Sequence, residues 1–364
     1  MKIRYPFLKP NIPKLAQMLP DLQEVYRNGC FTNMGPFERL LTAKIGECLD
    51  GMGVAVVSNC TAGLMLGLRA TVNGKRREVL VPSYTFVATV SAIDWVGLMP
   101  LFADVDALSW QMDPSHEKDI LKRKDKIGAV LLCNTFGSPS DVESWREIAR
   151  RLDVPLLIDS AAGFGGQYGD GTRQGTKGTA EFFSMHATKP FAVGEGGIVA
   201  SQDADLIARI EDMKNFGLNR ERISQFPGLN AKLTEFQAII GLHSLRQLPS
   251  SVERRRAAAA RYRHCLRGFA FQEKGEFSTY PFFPALSPIG KDRDRIIRHA
   301  AARAVQLRDY YAKPVHAQPF GRRFPKLNGL PVTNRLAQRA VCLPMYDDIG
   351  ENDIEAISRV VNEA

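Results

Sequence analysis

The amino-acid sequence predicts an α/β protein, with a mostly parallel sheet of seven strands flanked by helices and a smaller C-terminal α+β domain. Between residues 53 and 200, short apolar runs alternate with helical stretches. Such runs are typical of parallel strands that are buried on both faces. After about residue 248, a basic, alanine-rich helix begins and the alternation ends. We therefore divide the chain into residues 1–247, an N-terminal arm and the large α/β domain, and residues 248–364, the small domain.

Each element is predicted from its local pattern. A proline-containing arm precedes an amphipathic helix over Phe37–Ile45. The predicted strands are Val54–Val57, Val79–Val81, Leu98–Phe102, Ala129–Leu132, Val154–Ile158, Glu181–Phe183 and Gly197–Ala200. The predicted helices of the small domain are Val252–Leu266, a basic helix near 291–305 and a terminal helix after Asp347. Ligands of parallel sheets bind at the carboxyl ends of the strands, so we expect the functional residues there.

The composition is that of a globular chain of 364 residues, 45% hydrophobic and 24% charged. No apolar run approaches the roughly 18 residues of a membrane span, and prolines interrupt the N-terminal stretch where a signal peptide would be apolar. We expect a cytoplasmic protein that does not bind membranes. The six cysteines contain no CxxC pair, which favours reduced thiols over a metal site or a disulfide framework.

The net charge of +9 raises the question of nucleic-acid binding. The basic residues are dispersed, however, and no zinc-finger spacing or aromatic–basic RNA-binding motif accompanies them. The charge therefore favours anionic small molecules, including phosphorylated substrates, over nucleic acid.

One lysine, Lys189, lies between a short apolar strand and a glycine-rich turn in the stretch Ser184–Gly197. A solvated lysine ammonium is inert, whereas burial or a nearby positive charge makes the nucleophilic neutral amine accessible. The chain has 48 Lys and Arg residues, most of them expected on the surface. The surroundings of Lys189 must therefore decide its role.

Other strand ends carry residues that suit a flat, anionic ligand. Thr61 follows the first strand at the start of a helix, where free N–H groups suit a phosphate, although Thr61 as a simple helix cap is equally compatible. Asp159 ends a very apolar strand, where a buried carboxylate needs a cationic partner. The protonated ring nitrogen of pyridoxal phosphate (PLP) would be such a partner, and the structural alternatives are a helix cap or an ion pair. Phe86 offers an aromatic face or belongs to the core, and Ser184 could join Thr61 at an anion.

An anion site, an aromatic face, a buried aspartate and a lysine beside Gly-Glu-Gly-Gly together form the arrangement of a fold-type I PLP enzyme. Over nearly its full length the chain resembles the DegT/DnrJ/EryC1/StrS family of sugar aminotransferases. The matching segments are Thr32–Pro36, Asn59–Thr61, Pro82–Thr89, Trp110–Pro114, the Asp159 strand, Ser184–Gly197, Gly228–Ala238, Tyr311–His316 and Leu343–Pro344. The most distinctive of them are the Lys189 segment and the stretch from Asn230 to Ala238.

The resemblance implies PLP as the cofactor and assigns roles at its ring. Lys189 is expected to form the Schiff base and then to move a proton between substrate and cofactor. Asp159 is expected to keep the ring nitrogen protonated. Phe86 is expected to stack on one face of the ring, with Ala161 on the other.

The resemblance also implies a phosphate site that two subunits share. Cys60, Thr61 and Ser184 are expected to bind the phosphate within one chain. Asn230 is expected to reach the same phosphate from the partner, so that a homodimer forms the active site.

Three matching positions are expected near the substrate, and three segments differ from the family pattern. The expected substrate-binding residues are Tyr311, His316 and Lys232. Ala162 replaces the Gln or His that relatives place beside the 3-hydroxyl of the cofactor. The usual Gly-Thr of the phosphate loop is Cys60-Thr61, and the usual Asn-Tyr-Arg is Asn230-Ala-Lys232.

The resemblance implies an aminotransferase that moves an amino group, from glutamate, to a keto group of a nucleotide-linked sugar by a ping-pong route. One alternative is a sugar dehydratase on the same scaffold, although dehydrating members have histidine at the position of Lys189. The other is a PLP-binding or regulatory protein that has lost catalysis.

Overall fold

A computed structural model describes residues 3–72, 74–219 and 221–364. Each of the seven predicted strands is present, with ends shifted by a few residues. The strands are β1 Gly53–Val57, β2 Glu78–Pro82, β3 Met99–Ala103, β4 Ile127–Cys133, β5 Leu156–Asp159, β6 Ala180–Ser184 and β7 Gly197–Ser201. Nearly every residue of these strands is buried, as expected for a sheet covered on both faces.

The seven strands form one sheet in the order β1-β7-β6-β5-β4-β2-β3. β7 runs antiparallel to both of its neighbours, and the remaining strand pairs are parallel. The carboxyl ends of the other six strands therefore meet at one edge of the sheet. Asp159 ends β5 in the middle of this edge.

Helices cover both faces of the sheet and continue into the C-terminal part. They are α1 Leu15–Asn28, α2 Pro36–Cys48, α3 Cys60–Thr71, α4 Val87–Trp95, α5 Glu117–Leu121, α6 Val142–Leu152, α7 Ala204–Met213, α8 Glu235–Cys265, α9 Arg293–Ala302, α10 Pro331–Arg339 and α11 Glu351–Asn362. None of the helices in the described ranges combines the length and the hydropathy of a membrane span.

The C-terminal part contains the antiparallel strands β8 Phe283–Leu286 and β9 Ala340–Leu343. The predicted domain boundary at residues 247 and 248 falls inside α8, a continuous helix of 31 residues. The hydrophobic core around β8 and β9 also includes Tyr84 and Phe136 from the first part of the chain. The two parts thus share a helix and a core, and the division at 247 stays a prediction.

A buried polar network supports the turn that follows β5. Glu181, on β6, is 0% exposed and accepts hydrogen bonds from Ser160 Oγ, Tyr168 Oη (2.9 Å) and the backbone N–H of Gly175 (2.6 Å). Ser160 Oγ in turn accepts from Asn134 Nδ2 at 2.8 Å. The network therefore fixes Ser160, which directly follows Asp159 in the chain.

Glu181 makes the stability of the fold depend on pH. Burial raises the pKa of its carboxyl to about 7 from an ordinary value of 4.5. The folded chain thus holds a proton that the unfolded chain has lost, so this contribution is complete below about pH 4.5 and is lost as the pH rises through about 7.

We therefore expect Glu181→Gln to remove this pH dependence. Between about pH 4.5 and about pH 8, the free energy of unfolding of the wild type should fall by about 3 kcal/mol more than that of the variant. Urea denaturation at the two pH values measures the difference. Glu147→Gln is the control, because Glu147 is exposed and Arg150 lowers its pKa. Parallel pH dependence of the wild type and Glu181→Gln would refute the prediction.

Candidate active site

A cavity of about 450 Å³ opens at the carboxyl edge of the sheet. Its walls come from the N-terminal arm, from the loops that follow the strands and from the C-terminal part. It contains all but one of the predicted cofactor residues, namely Cys60, Thr61, Phe86, Asp159, Ala161, Ser184 and Lys189. Of the predicted substrate residues, Tyr311 lines it as well. Residues separated by 250 positions in the chain are thus brought to one site.

Lys189 lies in a tight loop between β6 and β7. Backbone hydrogen bonds hold the two sides of this loop together, from Met185 N to Gly196 O and from Ala187 N to Gly194 O, each at 2.8 Å. The side chain is half-buried, and its Nζ makes no hydrogen bond or salt bridge with any residue that the structure describes. Desolvation lowers the pKa of Lys189, although the nearby Cys60 and Asp159 oppose this effect. Burial therefore increases the fraction of the neutral, nucleophilic amine relative to a solvated lysine.

Asp159 is 7% exposed and forms no salt bridge within the described ranges. Its carboxylate accepts hydrogen bonds from Thr89 Oγ1 at 2.7 Å and from the backbone N–H of Ala161 at 3.0 Å. Desolvation raises the pKa of Asp159, and these two donors and Lys189 oppose the rise. Among the described residues Asp159 neither caps a helix nor forms an ion pair, which argues against both structural alternatives for it. The site holds a buried carboxylate whose charge still lacks a close cation.

The N-terminus of α3 forms a second polar region of the cavity. Asn59, and not Thr61, caps this helix, with its Oδ1 accepting from Ala62 N at 2.8 Å. The backbone N–H groups of Cys60 and Thr61 make no hydrogen bond to any described residue. The partly exposed hydroxyls of Thr61 and Ser184 lie in the same cavity. These donors and the helix dipole suit an anion.

Gly197 allows this region to form. It pairs with Val57 at the start of β7, directly beneath the turn into α3. A Cβ atom at Gly197 would lie 2.6 Å from both the backbone N of Cys60 and the carbonyl carbon of Asn59. Any side chain at this position would therefore push the α3 N-terminus away from β7.

The remaining cavity walls are aromatic or apolar. Phe86, which directly precedes α4, is 58% exposed and is therefore not a core residue. Ala161 and Ala162 are partly exposed in the turn after Asp159. Ala162 brings no polar side chain to this wall, and its carbonyl oxygen accepts from Thr279 Oγ1 at 2.7 Å.

Three predicted site residues lie outside the cavity of their own chain. Asn230 is exposed, and Lys232 Nζ donates to its Oδ1 at 2.7 Å. His316 is buried, with Nδ1 2.6 Å from Ser83 Oγ and Nε2 3.1 Å from Asn334 Oδ1. Both ring nitrogens of His316 are thus engaged within the chain. Substrate contacts by His316 and Lys232 stay predictions.

The sequence did not identify several residues of the site. Thr89 was part of a matching segment, but its hydrogen bond to Asp159 depends on how the fold places the first turn of α4 next to the end of β5. Phe7 and Leu8 of the N-terminal arm and Phe282 also line the cavity. The sequence did offer one signal for Thr89, namely a hydroxyl in the first turn of a helix that follows a strand. No local pattern points to the other three.

Comparisons with known proteins identify relatives of this chain. The chain matches the DegT/DnrJ/EryC1/StrS aminotransferase family over residues 15–362. It is 34% identical to Protein Rv3402c of Mycobacterium tuberculosis, over 99% of this chain and 90% of that protein. It is 30% identical to dTDP-4-amino-4,6-dideoxy-D-glucose transaminase of Escherichia coli, over 98% of this chain and 97% of that protein.

Two solved structures have the same fold. DesI, determined in the presence of its TDP-sugar product, is 30% identical with a TM-score of 0.92, covering 100% of this chain and 93% of DesI. A protein of Bacillus cereus assigned as a PLP-dependent aminotransferase is 29% identical with a TM-score of 0.93, covering 98% of this chain and 99% of that chain. The predicted fold-type I architecture is confirmed. The chain belongs to the DegT/DnrJ/EryC1/StrS aminotransferase family.

Proposed function

We propose that this aminotransferase uses PLP to move an amino group from glutamate to a keto group of a nucleotide-linked sugar. The observation that carries the proposal is the pairing, in one cavity, of an unpartnered lysine with a buried carboxylate that lacks a cation. The sugar acceptor is supported by the dTDP-sugar transaminase of Escherichia coli and by DesI with its TDP-sugar product.

The residues present fit PLP. Asp159 would hold the protonated ring nitrogen, and this contact would give the buried carboxylate the positive partner that it lacks. The free N–H groups of Cys60 and Thr61, with the hydroxyl of Ser184, would bind the phosphate. Phe86 would pack against one face of the ring and Ala161 against the other. When bound, PLP supplies an electrophilic carbonyl carbon and a ring that accepts electrons from the adjacent carbon.

Lys189 would act twice. Its Nζ would first hold the cofactor covalently. Once substrate has displaced it, the same amine would take a proton from the substrate carbon and return it to the cofactor. The lowered pKa of Lys189 supports both roles, because only the neutral amine attacks carbon or accepts a proton.

We expect Lys189→Ala to lower turnover by at least about 10²- to 10⁴-fold, since a positioned acid–base group is worth that much. Borohydride reduction of the PLP-loaded protein, followed by intact mass measurement, should attach the cofactor to the wild type and not to the variant. Lys44→Ala, at an exposed lysine on α2, is the control and should behave as wild type. Turnover near that of the wild type in Lys189→Ala would sink the assignment.

We further propose that the active site is shared by two copies of the chain. Asn230 lies outside its own cavity but close to its edge, because the carbonyl of Ala231 accepts from Ser58 N at 2.7 Å, next to the α3 turn. Exposed aromatic side chains lie at both ends of this segment: Phe216, 47% exposed, donates its N–H to the carbonyl of Leu229, and the carbonyl of Phe31, 41% exposed, accepts from Glu235 N. Exposed apolar side chains beside the exposed amide of Asn230 suit an interface between copies.

Mixing two inactive variants tests the shared site. Lys189→Ala and Asn230→Ala should each have low activity at limiting PLP. After joint refolding, about half of the dimers would contain both variants, and each of these would have one native site. Activity should therefore recover to about a quarter of the wild-type value. Activity equal to the mean of the two parents would contradict a shared site.

The substrates are tested by half-reactions that are followed in the absorbance of the bound cofactor. Adding glutamate should convert PLP to its amino form, and nucleotide-linked keto sugars should convert it back. A panel of nucleotide-linked amino sugars, run in reverse, identifies the acceptor. An unchanged spectrum with all donors would favour a binding protein without catalysis. Release of water from the sugar without amino transfer would favour the dehydratase.

A further inference from the structure

The topology of the sheet places the polar groups of the cavity on two sides of Asp159. In the order β1-β7-β6-β5-β4-β2-β3, Thr61 follows β1 and Ser184 ends β6, on one side of β5. Cys133 ends β4 on the other side. The anion-binding groups therefore lie on the β6 side of Asp159.

This arrangement determines which edge of PLP faces β4. In PLP, the ring nitrogen and the carbonyl-bearing carbon lie opposite each other, and the phosphate arm and the 3-oxygen are on the two edges between them. With the nitrogen at Asp159, the carbonyl at Lys189 and the phosphate on the β6 side, the 3-oxygen faces the β4 side. Ala162, on the turn after β5, offers it no polar side chain.

Tyr311 lies on the β4 side. Its ring stacks on Phe136 with centroids 5.5 Å apart and meets Tyr84 edge-on at 5.6 Å. It lines the same cavity as Asp159 and Cys133, and its hydroxyl makes no hydrogen bond in the described part of the chain. Two aromatic neighbours thus hold a free hydroxyl in the cavity that contains the carboxylate.

That hydroxyl remains a donor. Burial, reinforced by nearby acidic groups, raises the pKa of Tyr311 well above its ordinary value. The phenol is therefore protonated at neutral pH and can donate a hydrogen bond. A protonated, unpartnered phenol in a cavity needs an acceptor when bulk water is displaced.

Two other polar side chains on this side already have partners. Asn134 Nδ2 donates to Ser160 Oγ at 2.8 Å and to Gln174 Oε1 at 3.1 Å, which uses both of its protons. Thr135 Oγ1 donates to the carbonyl of Tyr84 at 3.3 Å. Tyr310 also lines the cavity and packs against Phe282, and burial raises its pKa while Arg308 opposes the rise.

We propose that Tyr311 donates a hydrogen bond to the 3-oxygen of bound PLP and takes the place of the polar side chain that position 162 lacks. This proposal rests on the PLP binding proposed above. The hydrogen bond stabilises the 3-oxygen as an anion, and so it stabilises the deprotonated form of the Lys189–cofactor linkage. Tyr311 thereby keeps that linkage deprotonated to lower pH than it would otherwise be.

A pH titration of the bound cofactor, without substrate, tests this role. In Tyr311→Phe the ring packing remains and only the hydroxyl is lost, so the pKa of the linkage, read from its visible absorbance, should rise by about one unit. Tyr310→Phe is the matched control and should titrate as the wild type does. An unchanged or lowered pKa in Tyr311→Phe would overturn the proposal.

A PLP analogue without the 3-oxygen provides a second measurement. Loss of the Tyr311 hydroxyl should weaken PLP binding about tenfold and leave binding of the analogue unchanged. Equal weakening of both ligands would overturn the role of Tyr311 while leaving PLP binding intact. If the wild type bound no PLP and borohydride attached none to it, the proposed function itself would fail, and the two failures are therefore distinguishable.

Discussion

The buried carboxylate of Asp159 is the constraint on which the candidate site depends. Its burial at the end of a central strand raises its pKa, and two hydrogen-bond donors, Thr89 and Ala161 N–H, only partly compensate for the lost hydration. A protonated ring nitrogen would supply the missing positive charge. The parallel strands on both sides of β5 bring the lysine, the anion-binding turn and the aromatic walls to the same edge, so that one ligand can satisfy all of them.

The sheet was predictable because its strands are buried on both faces and therefore appear as continuous apolar runs. Their ends were less predictable, since hydrogen bonding between neighbouring strands sets them. The boundary at residues 247 and 248 was inferred from a change in composition, but α8 continues through it. The composition changes there because the two halves of α8 pack against different helices, α1 and α2 in the first part and α11 in the second. Such a change does not show whether the helix ends.

Within the site, the residues placed by a strand end or a following turn were predictable, namely Thr61, Asp159, Ser184 and Lys189. Contacts between distant segments were not. Nothing in the strand sequence around Glu181 indicates that Ser160, Tyr168 and Gly175 converge on its carboxyl. The missing polar group at Ala162 was visible in the sequence. The proposed replacement by Tyr311 follows only from the fold, which brings a segment about 150 residues away to the same cavity.

The central claim is that the charge of Asp159 holds the cofactor nitrogen in its protonated form. The nitrogen-15 chemical shift of ring-labelled PLP, bound to the wild-type protein, measures this directly. We predict the shift of a protonated pyridinium from neutral pH up to the alkaline pH at which free PLP has lost that proton. The shift of an unprotonated pyridine in the bound wild type would contradict the account.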